Sequence, residues 1–316
     1  MGPLPAHQLD AFHAVADTGS FSKAATRLHV TQPALSQRIQ QLESELKKRL
    51  FVRSPAGVTL TDAGTRVLRY CQVQRALEAE LLDDLTVDGH GGTELELSGT
   101  LRIAAFSSVA RSCVLPAIAP LFRANPRLAV DVGVRETAEI AALLAQGAVD
   151  FALLDHVFER PDVEHIALGF EQLVLVESRQ FRMRDDVYLD HDPEDATTMR
   201  FLKRSAVKTR YVRRSFFDDI YGVIDAAVHG FGRAVVPQHL LSGAAAESLH
   251  VVADTKAMRA PVVLHHFRQP AYTRAHEAVR DALVAGVARA LEGAAVNPPG
   301  RRRNEGAASA RGRPSP

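Results

Sequence analysis

The run from Thr31 to Glu43, Thr-Gln-Pro-Ala-Leu-Ser-Gln-Arg-Ile-Gln-Gln-Leu-Glu, most narrows what this chain can fold into. Thr31 can cap a helix, and Pro33 falls in the first turn, where a missing N–H costs nothing. Leu35, Ile39, Leu42 and Leu46 recur at helical spacing and form one apolar stripe. The opposite face carries Gln32, Ser36, Gln37 and Gln40. A helix with that face suits the DNA major groove, where Gln can pair bidentately with adenine and Ser can donate to bases or phosphates. A solvated surface would account for the polarity alone.

The flanks argue for more than a solvated surface. Leu9, Phe12, Val15 and Ala16 make an earlier helix that Gly19 stops. Ser20 can cap a second helix, and its Ala24, Ala25 and Leu28 allow close helix contact. After the third helix, residues 50–53 and 58–60 read as two short strands around Ser54-Pro55-Ala56-Gly57. Three short helices and a hairpin predict a winged helix-turn-helix. The expected DNA contacts are Ser20, Ser22, Thr31, Gln32, Pro33, Ser36, Gln37, Arg38, Gln40 and Arg53. Arg38 is either a phosphate clamp or an ion-pair partner. Arg53, at the base of the wing, either reaches DNA or forms a surface salt bridge. Residues 1–66 hold eight basic against five acidic side chains, a net +3 where phosphates would lie, although the whole chain carries only +1.

The pattern Phe12…Val15-Ala16…Gly19-Ser20-Phe21-Ser22…Ala24-Ala25…Leu28…Thr31-Gln32-Pro33-Ala34-Leu35-Ser36…Ile39…Leu42-Glu43…Leu46…Leu50-Phe51…Arg53…Gly57…Leu60-Thr61…Ala63-Gly64 resembles the LysR-type transcriptional regulators. That resemblance continues more weakly through the rest of the chain. It implies an all-α winged domain with a long linker helix, then a two-lobed α/β effector domain akin to periplasmic binding proteins. It also implies a homodimer or homotetramer on an inverted-repeat site in double-stranded DNA, a small-molecule effector of unknown identity, and contact with RNA polymerase.

Read from the residues, Thr61 caps a helix to about residue 84. Ala63, Val67, Tyr70, Leu77, Leu81 and Leu85 lie near one face of it. Pairing with the same helix of a second subunit would bury that stripe, as would packing on its own winged domain. Two recognition helices one turn apart would then read a two-fold site. The expected divisions are a winged domain over 1–66 with its linker helix over about 61–86, a hinge over 87–98, an effector domain over 99–295 with a second lobe over about 177–258, and a disordered basic tail over 296–316.

From Gly99 the pattern becomes strand, helix, strand, which predicts a parallel α/β sheet. Strands are expected at 101–106, 128–134 and 149–154, with a crossing into a second lobe at 173–177. In that lobe, Arg200-Phe201-Leu202 and residues 210–216 read as strands with no room for a helix between them. A helix over 219–229, a glycine turn at 230–232, a strand at 261–267 and a helix over 273–291 follow. Ligands in open α/β sheets bind beyond the carboxyl ends of strands. Those ends are read as Ser107-Ser108, Arg135-Glu136-Thr137, Lys203-Arg204-Ser205 and the glycine turn. Effector contacts are therefore expected at Ser107, Ser108, Arg135, Thr137, Lys203, Gly230 and Phe231. As isolated residues the hydroxyls would serve equally as helix caps.

The acidic run at 185–195 reads as a solvated loop or as a partner for the basic residues between Arg200 and Arg214. His265 and His266 sit on a predicted strand, so one should point inward and one outward. No phosphate-binding glycine loop, nucleophile elbow or zinc-protease helix occurs, so no enzyme, metal or cofactor is expected. The alternatives are a small-molecule-binding protein whose winged domain serves only assembly, an enzyme in the α/β lobes, which would need a convergent acid–base or nucleophile set, and a ligand-free cleft used only for oligomerisation. Cys71 and Cys113 make no disulfide framework. Met1 to His7 lacks a signal-peptide layout, and no apolar run reaches the roughly 18 residues of a membrane span, so a cytoplasmic protein is expected.

Overall fold

The computed structural model describes residues 3–54, 57–86, 96–182, 186–205, 212–253 and 255–296. The wing tip at Pro55-Ala56, most of the expected hinge, and the tail lie outside them. The chain divides into two compact units: Met1–Gly169 with Pro261–Ala288, and Phe170–Ala260 with Arg289–Pro316.

The first unit opens with α1 (Ala6–Thr18), α2 (Phe21–Arg27) and α3 (Gln32–Leu46). Gly19 ends α1 at φ +61, a left-handed turn that glycine adopts without strain. Ser20 and Thr31 act as the N-caps the sequence predicts: their hydroxyls accept from Lys23 N at 3.4 Å and Ala34 N at 3.3 Å. Strands β1 (Phe51–Ser54) and β2 (Gly57–Leu60) pair antiparallel, Phe51 opposite Leu60. The small core holds Phe12, Ala24, Ala25, Leu35, Ile39, Leu42, Leu50 and Phe51. The Phe12 and Phe51 rings lie 5.0 Å apart.

Helix α4 (Asp62–Thr86) leaves this core through a tight corner. Thr61 Oγ1 accepts from Gly64 N at 3.0 Å and donates to Arg49 O at 2.7 Å. Gly64 packs so closely that an added Cβ would stand 2.1 Å from Leu50 O.

The same unit then forms β3 (Gly99–Ala105), α5 (Ser107–Val109), a π-helical turn (Ala110–Val114), α6 (Leu115–Ala124), β4 (Leu128–Val134), α7 (Thr137–Ala145) and β5 (Phe151–Leu154). Strand β3 pairs parallel with both β4 and β5, as the alternating pattern predicts. Strand β6 (Val163–Ser178) runs on into the second unit.

The second unit continues with β7 (Val187–Asp190), α8 (Thr197–Ser205), β8 (Arg213–Phe216), α9 (Ile220–Val228), β9 (Arg233–Pro237), a 3-10 turn (Gln238–Leu240), α10 (Ala244–Ser248) and β10 (Leu249–Val251). Its strand order is β6-β9-β7-β8, with β10 also on β6. Strand β11 (Met258–Phe267) returns to the first unit and pairs antiparallel with β5, and α11 (Arg274–Val296) follows.

Three expectations need correction. Arg200-Phe201-Leu202 is not a strand but the middle of α8, so a helix does fit before β8. Thr198, Phe201, Leu202 and Ser205 are buried at helical spacing, and they decide the conformation. The acidic run is not merely a loop, because it contains β7. Asp190 is 3% exposed; it accepts from Thr198 Oγ1 at 2.5 Å and from Arg214 Nε at 2.5 Å. The pairing of acidic with basic residues is therefore what the second unit adopts. Finally, His265 and His266 are both buried, because β11 lies inside the sheet with both of its faces covered.

Candidate DNA interface and ligand-binding edge

Helix α3 buries Leu35, Ile39 and Leu42 and leaves Gln32, Pro33, Gln37 and Gln40 exposed. Ser36 and Arg38 are half-buried at the margins of that face. The predicted contact residues therefore lie on one helix surface, with Thr31 at its start. The hydroxyls of Ser20 and Thr31 are occupied as caps, so they orient helices as well as lying near the surface. Ser22 is exposed on α2, and its carbonyl accepts from Thr26 Oγ1 at 3.2 Å.

On the wing, the Arg53 guanidinium lies 4.0 Å from the Phe21 ring centroid. That cation–π contact holds the arginine at the wing base without neutralising it. Lys47, Lys48 and Arg49 are exposed where α3 ends. Arg49 pairs with Glu43 at 3.0 Å, and Glu43 Oε1 also accepts from Leu50 N at 2.7 Å. Glu43 thus ties the recognition helix to the first wing strand, a role that the apolar pattern does not reveal.

In the first unit, Ser107 and Thr137 begin α5 and α7 at the carboxyl ends of β3 and β4. Because Ala105 pairs with Val134, these two helix starts are side by side. The N-cap positions are Phe106 and Glu136, with no side-chain cap bond at either. The Ser107 and Thr137 hydroxyls are therefore not used as caps. Ser108 is buried, with its carbonyl accepting from Ser112 Oγ at 2.5 Å. Arg135 is exposed, and its Nη1 donates to Val134 O at 2.7 Å.

The second unit places its candidates differently. Lys203 is exposed in the last turn of α8, not after a strand. Gly230, at φ +81, and Phe231 precede β9 at its amino end, so the carboxyl-end argument does not apply to them. Phe231 is 63% exposed and meets Phe217 edge to face at 5.9 Å.

Residues 6–65 match the model of the bacterial regulatory helix-turn-helix protein, lysR family, and residues 95–288 match the LysR substrate binding domain. The chain belongs to the LysR family. It is a transcription regulator with a helix-turn-helix DNA-binding domain followed by a two-lobed α/β effector-binding domain. A probable RuBisCO transcriptional regulator of Porphyra purpurea is 34% identical over 69% of this chain and 67% of its own length. The HTH-type transcriptional regulator ShiR of Corynebacterium glutamicum (strain R) is 33% identical over 58% of this chain and 60% of its own. Among solved structures, ArgP from Mycobacterium tuberculosis has a TM-score of 0.72 at 24% identity, covering 90% of this chain and 98% of that one. Full-length LysG from Corynebacterium glutamicum, with bound effector Arg, has the same TM-score at 20% identity, covering 91% and 98%. At those identities the likeness carries the LysR fold. Among the described residues of this regulator, no helix is long and apolar enough to cross a membrane.

Proposed function

We propose that this LysR regulator works in the cytoplasm, without enzymatic activity, as a homodimer or homotetramer on an inverted-repeat promoter site. Helix α3 presents Gln32, Ser36, Gln37 and Gln40 to base edges. Arg38, Arg53 and the α3 start at Thr31 and Pro33 hold phosphates, with Ser20 and Ser22 of α2 beside them. The observation that carries this reading is the single exposed amide face of α3, flanked by an arginine stacked on Phe21.

Dimerisation runs through α4. Tyr70, Leu81, Leu82 and Leu85 are each more than half exposed, which a lone helix in water would not favour. A small-molecule effector binds at the edge where Ser107 and Thr137 open two adjacent helices, with Ser108 and Arg135 beside them. Two free hydroxyls at two helix N-termini suit a carboxylate. Lys203, Gly230 and Phe231 are weaker candidates, since none follows a strand's carboxyl end. The working divisions remain 1–66, 87–98, 99–295 and 296–316. RNA polymerase is the further partner this arrangement implies.

The test is DNase footprinting on the DNA upstream of its own gene. Wild-type protein should protect a dyad, and Ser36→Glu, which brings a carboxylate into the negatively charged groove, should lose that protection. Equal protection by the variant would refute the α3 assignment.

A further inference from the structure

Within the first unit, polar contacts join α4 to the effector lobe of its own chain. Near its amino end, the Arg69 guanidinium donates to Asp150 Oδ1 at 2.9 Å, with both side chains buried. Asp150 immediately precedes β5; its Oδ2 accepts from Arg102 N at 2.9 Å, and its own N–H donates to Arg102 O at 2.8 Å. One carboxylate therefore ties the linker helix to the start of β5 and to β3 beside it. Burial pushes the Asp150 carboxyl up, but Arg69 and Arg102 outweigh it and hold the group below its usual range. Gly147, at φ +69, lets the end of α7 close on this joint; an added Cβ would stand 3.1 Å from Arg69 Cδ.

Three turns further along α4, a second joint forms. Arg274, at the start of α11, bonds Glu80 through Nε, and its Nη2 donates to Asp84 Oδ1 at 2.6 Å. Between the two joints, the described residues leave a gap. A cavity of about 370 Å³ separates Val73, Ala76 and Ala79 of α4 from Leu97, Leu101 and Ala275 of the lobe. The first turns of α4 differ, since Ala63, Val67, Leu68 and Cys71 belong to the winged-domain core. Thus apolar burial fuses α4 to the winged domain, with Arg75 also pairing Asp10 at 2.7 Å, whereas polar contacts around a cavity fasten it to the lobe. Beside the second joint, Asp83 pairs with Arg127 at 3.4 Å and accepts from Ser98 Oγ at 2.5 Å, and beside the first, Arg66 lies 3.9 Å from Asp162. Apolar burial resists separation, whereas paired charges with an unfilled gap can part and be solvated.

We propose that Arg69–Asp150 at one point, and Arg274–Glu80/Asp84 with Asp83–Arg127 at the other, form a releasable two-point latch that passes the state of the effector lobe to the winged domain. Strands β3 and β5 are its levers. Asp150 grips the start of β5 and the middle of β3 at Arg102, and Ser107 and Asp155 follow their carboxyl ends. Arg69, Asp150 and Arg274 are positioning residues, in contact with neither DNA nor the proposed effector edge. The latch goes beyond the proposed function, and its coupling arm rests on that reading.

Hydrogen exchange on the full chain tests it, using wild type and the triple variant Arg69→Met, Asp83→Ala and Arg274→Gln. Arg69→Met keeps the methylenes against Gly147 and leaves Asp150 its Arg102 partners. In the variant, amides of residues 72–86 should exchange at least about tenfold faster, while α1–α3, β3 and β5 keep their protection. Unchanged exchange in 72–86 would overturn the latch, as would loss of protection in β3 and β5, which would make the pairs part of the lobe's core. Coupling is reciprocal, so a duplex carrying an in-vitro-selected site should slow exchange in residues 105–112 and 135–140 of the wild type. In the variant that response should vanish. A variant response equal to wild type, or none in DNA-bound wild type, would overturn the proposal. Failure to bind any duplex would instead refute the DNA-binding reading, and the exchange of 72–86 would still decide the latch.

Discussion

Two buried histidines make the effector lobe sensitive to mild acid. The His276 ring sits 4.4 Å from that of Phe151 and stacks on Tyr272 at 4.9 Å, with Nε2 buried and unpartnered. Burial lowers its pKa to about 3. His265 is lowered to about 4, again chiefly by burial, and its Nε2 accepts from Phe158 N at 2.9 Å, a bond that protonation there would break. In the unfolded chain both titrate near 6.5. Above that pH neither state binds the proton, so stability is unaffected. Between pH 6.5 and the folded values only the unfolded chain is protonated, so stability falls as pH falls. At pH 5 each histidine costs about 2 kcal/mol, and the pair about 4 kcal/mol. His266, also lowered by burial, acts in the same direction. Asp150, held below the usual carboxylate range, stays ionised at pH 5 and leaves this slope alone. Urea midpoints followed by circular dichroism at pH 7.5, 6 and 5 should drop steeply below 6.5. His276→Phe and His265→Gln should each flatten the slope, whatever they do to stability at pH 7.5. A midpoint constant from pH 7.5 to 5, or the wild-type slope in both variants, would refute the reasoning.

Other outcomes follow from particular contacts. Gly64→Ala should lose at least about 2 kcal/mol of winged-domain stability, because the new Cβ meets the Leu50 carbonyl; a thermal midpoint equal to wild type would contradict that corner. Leu81→Asp with Leu85→Asp should shift the sedimenting species to lower mass while helix content stays the same, and an unchanged mass would remove α4 as the dimer contact. Lys48→Ala should weaken binding to all duplexes alike and reduce the slope of log affinity against log salt by about one. A loss confined to one sequence would reassign Lys48 to base reading.

The parts legible in the sequence are those whose signals are local. Thr31 caps the helix it precedes, Leu35, Ile39 and Leu42 share a face within two turns, and β3–β5 alternate with helices at short range. The expectations that differ from the structure lie where tertiary burial overrides a short pattern. Helix α8 has nine residues, and its Arg200, Lys203 and Arg204 mask the apolar positions at 201 and 202. Strand β7 has four residues inside an acidic run, and the distant Arg214 and Thr198 partners explain why Asp190 can be buried. The glycine turn at 230–232 looks like a ligand loop, but it leads into a strand rather than leaving one. Arg69 and Asp150 are 81 positions apart, so no window along the chain could pair them.

The central claim is that the amide face of α3 chooses among DNA sequences. Gel-shift competition measures this directly, comparing the regulator's own upstream DNA with a scrambled duplex of the same composition at fixed salt. The account predicts about a thousandfold or greater preference for the natural sequence, reduced toward unity by Ser36→Glu. Equal affinity of wild-type protein for the two duplexes would contradict it.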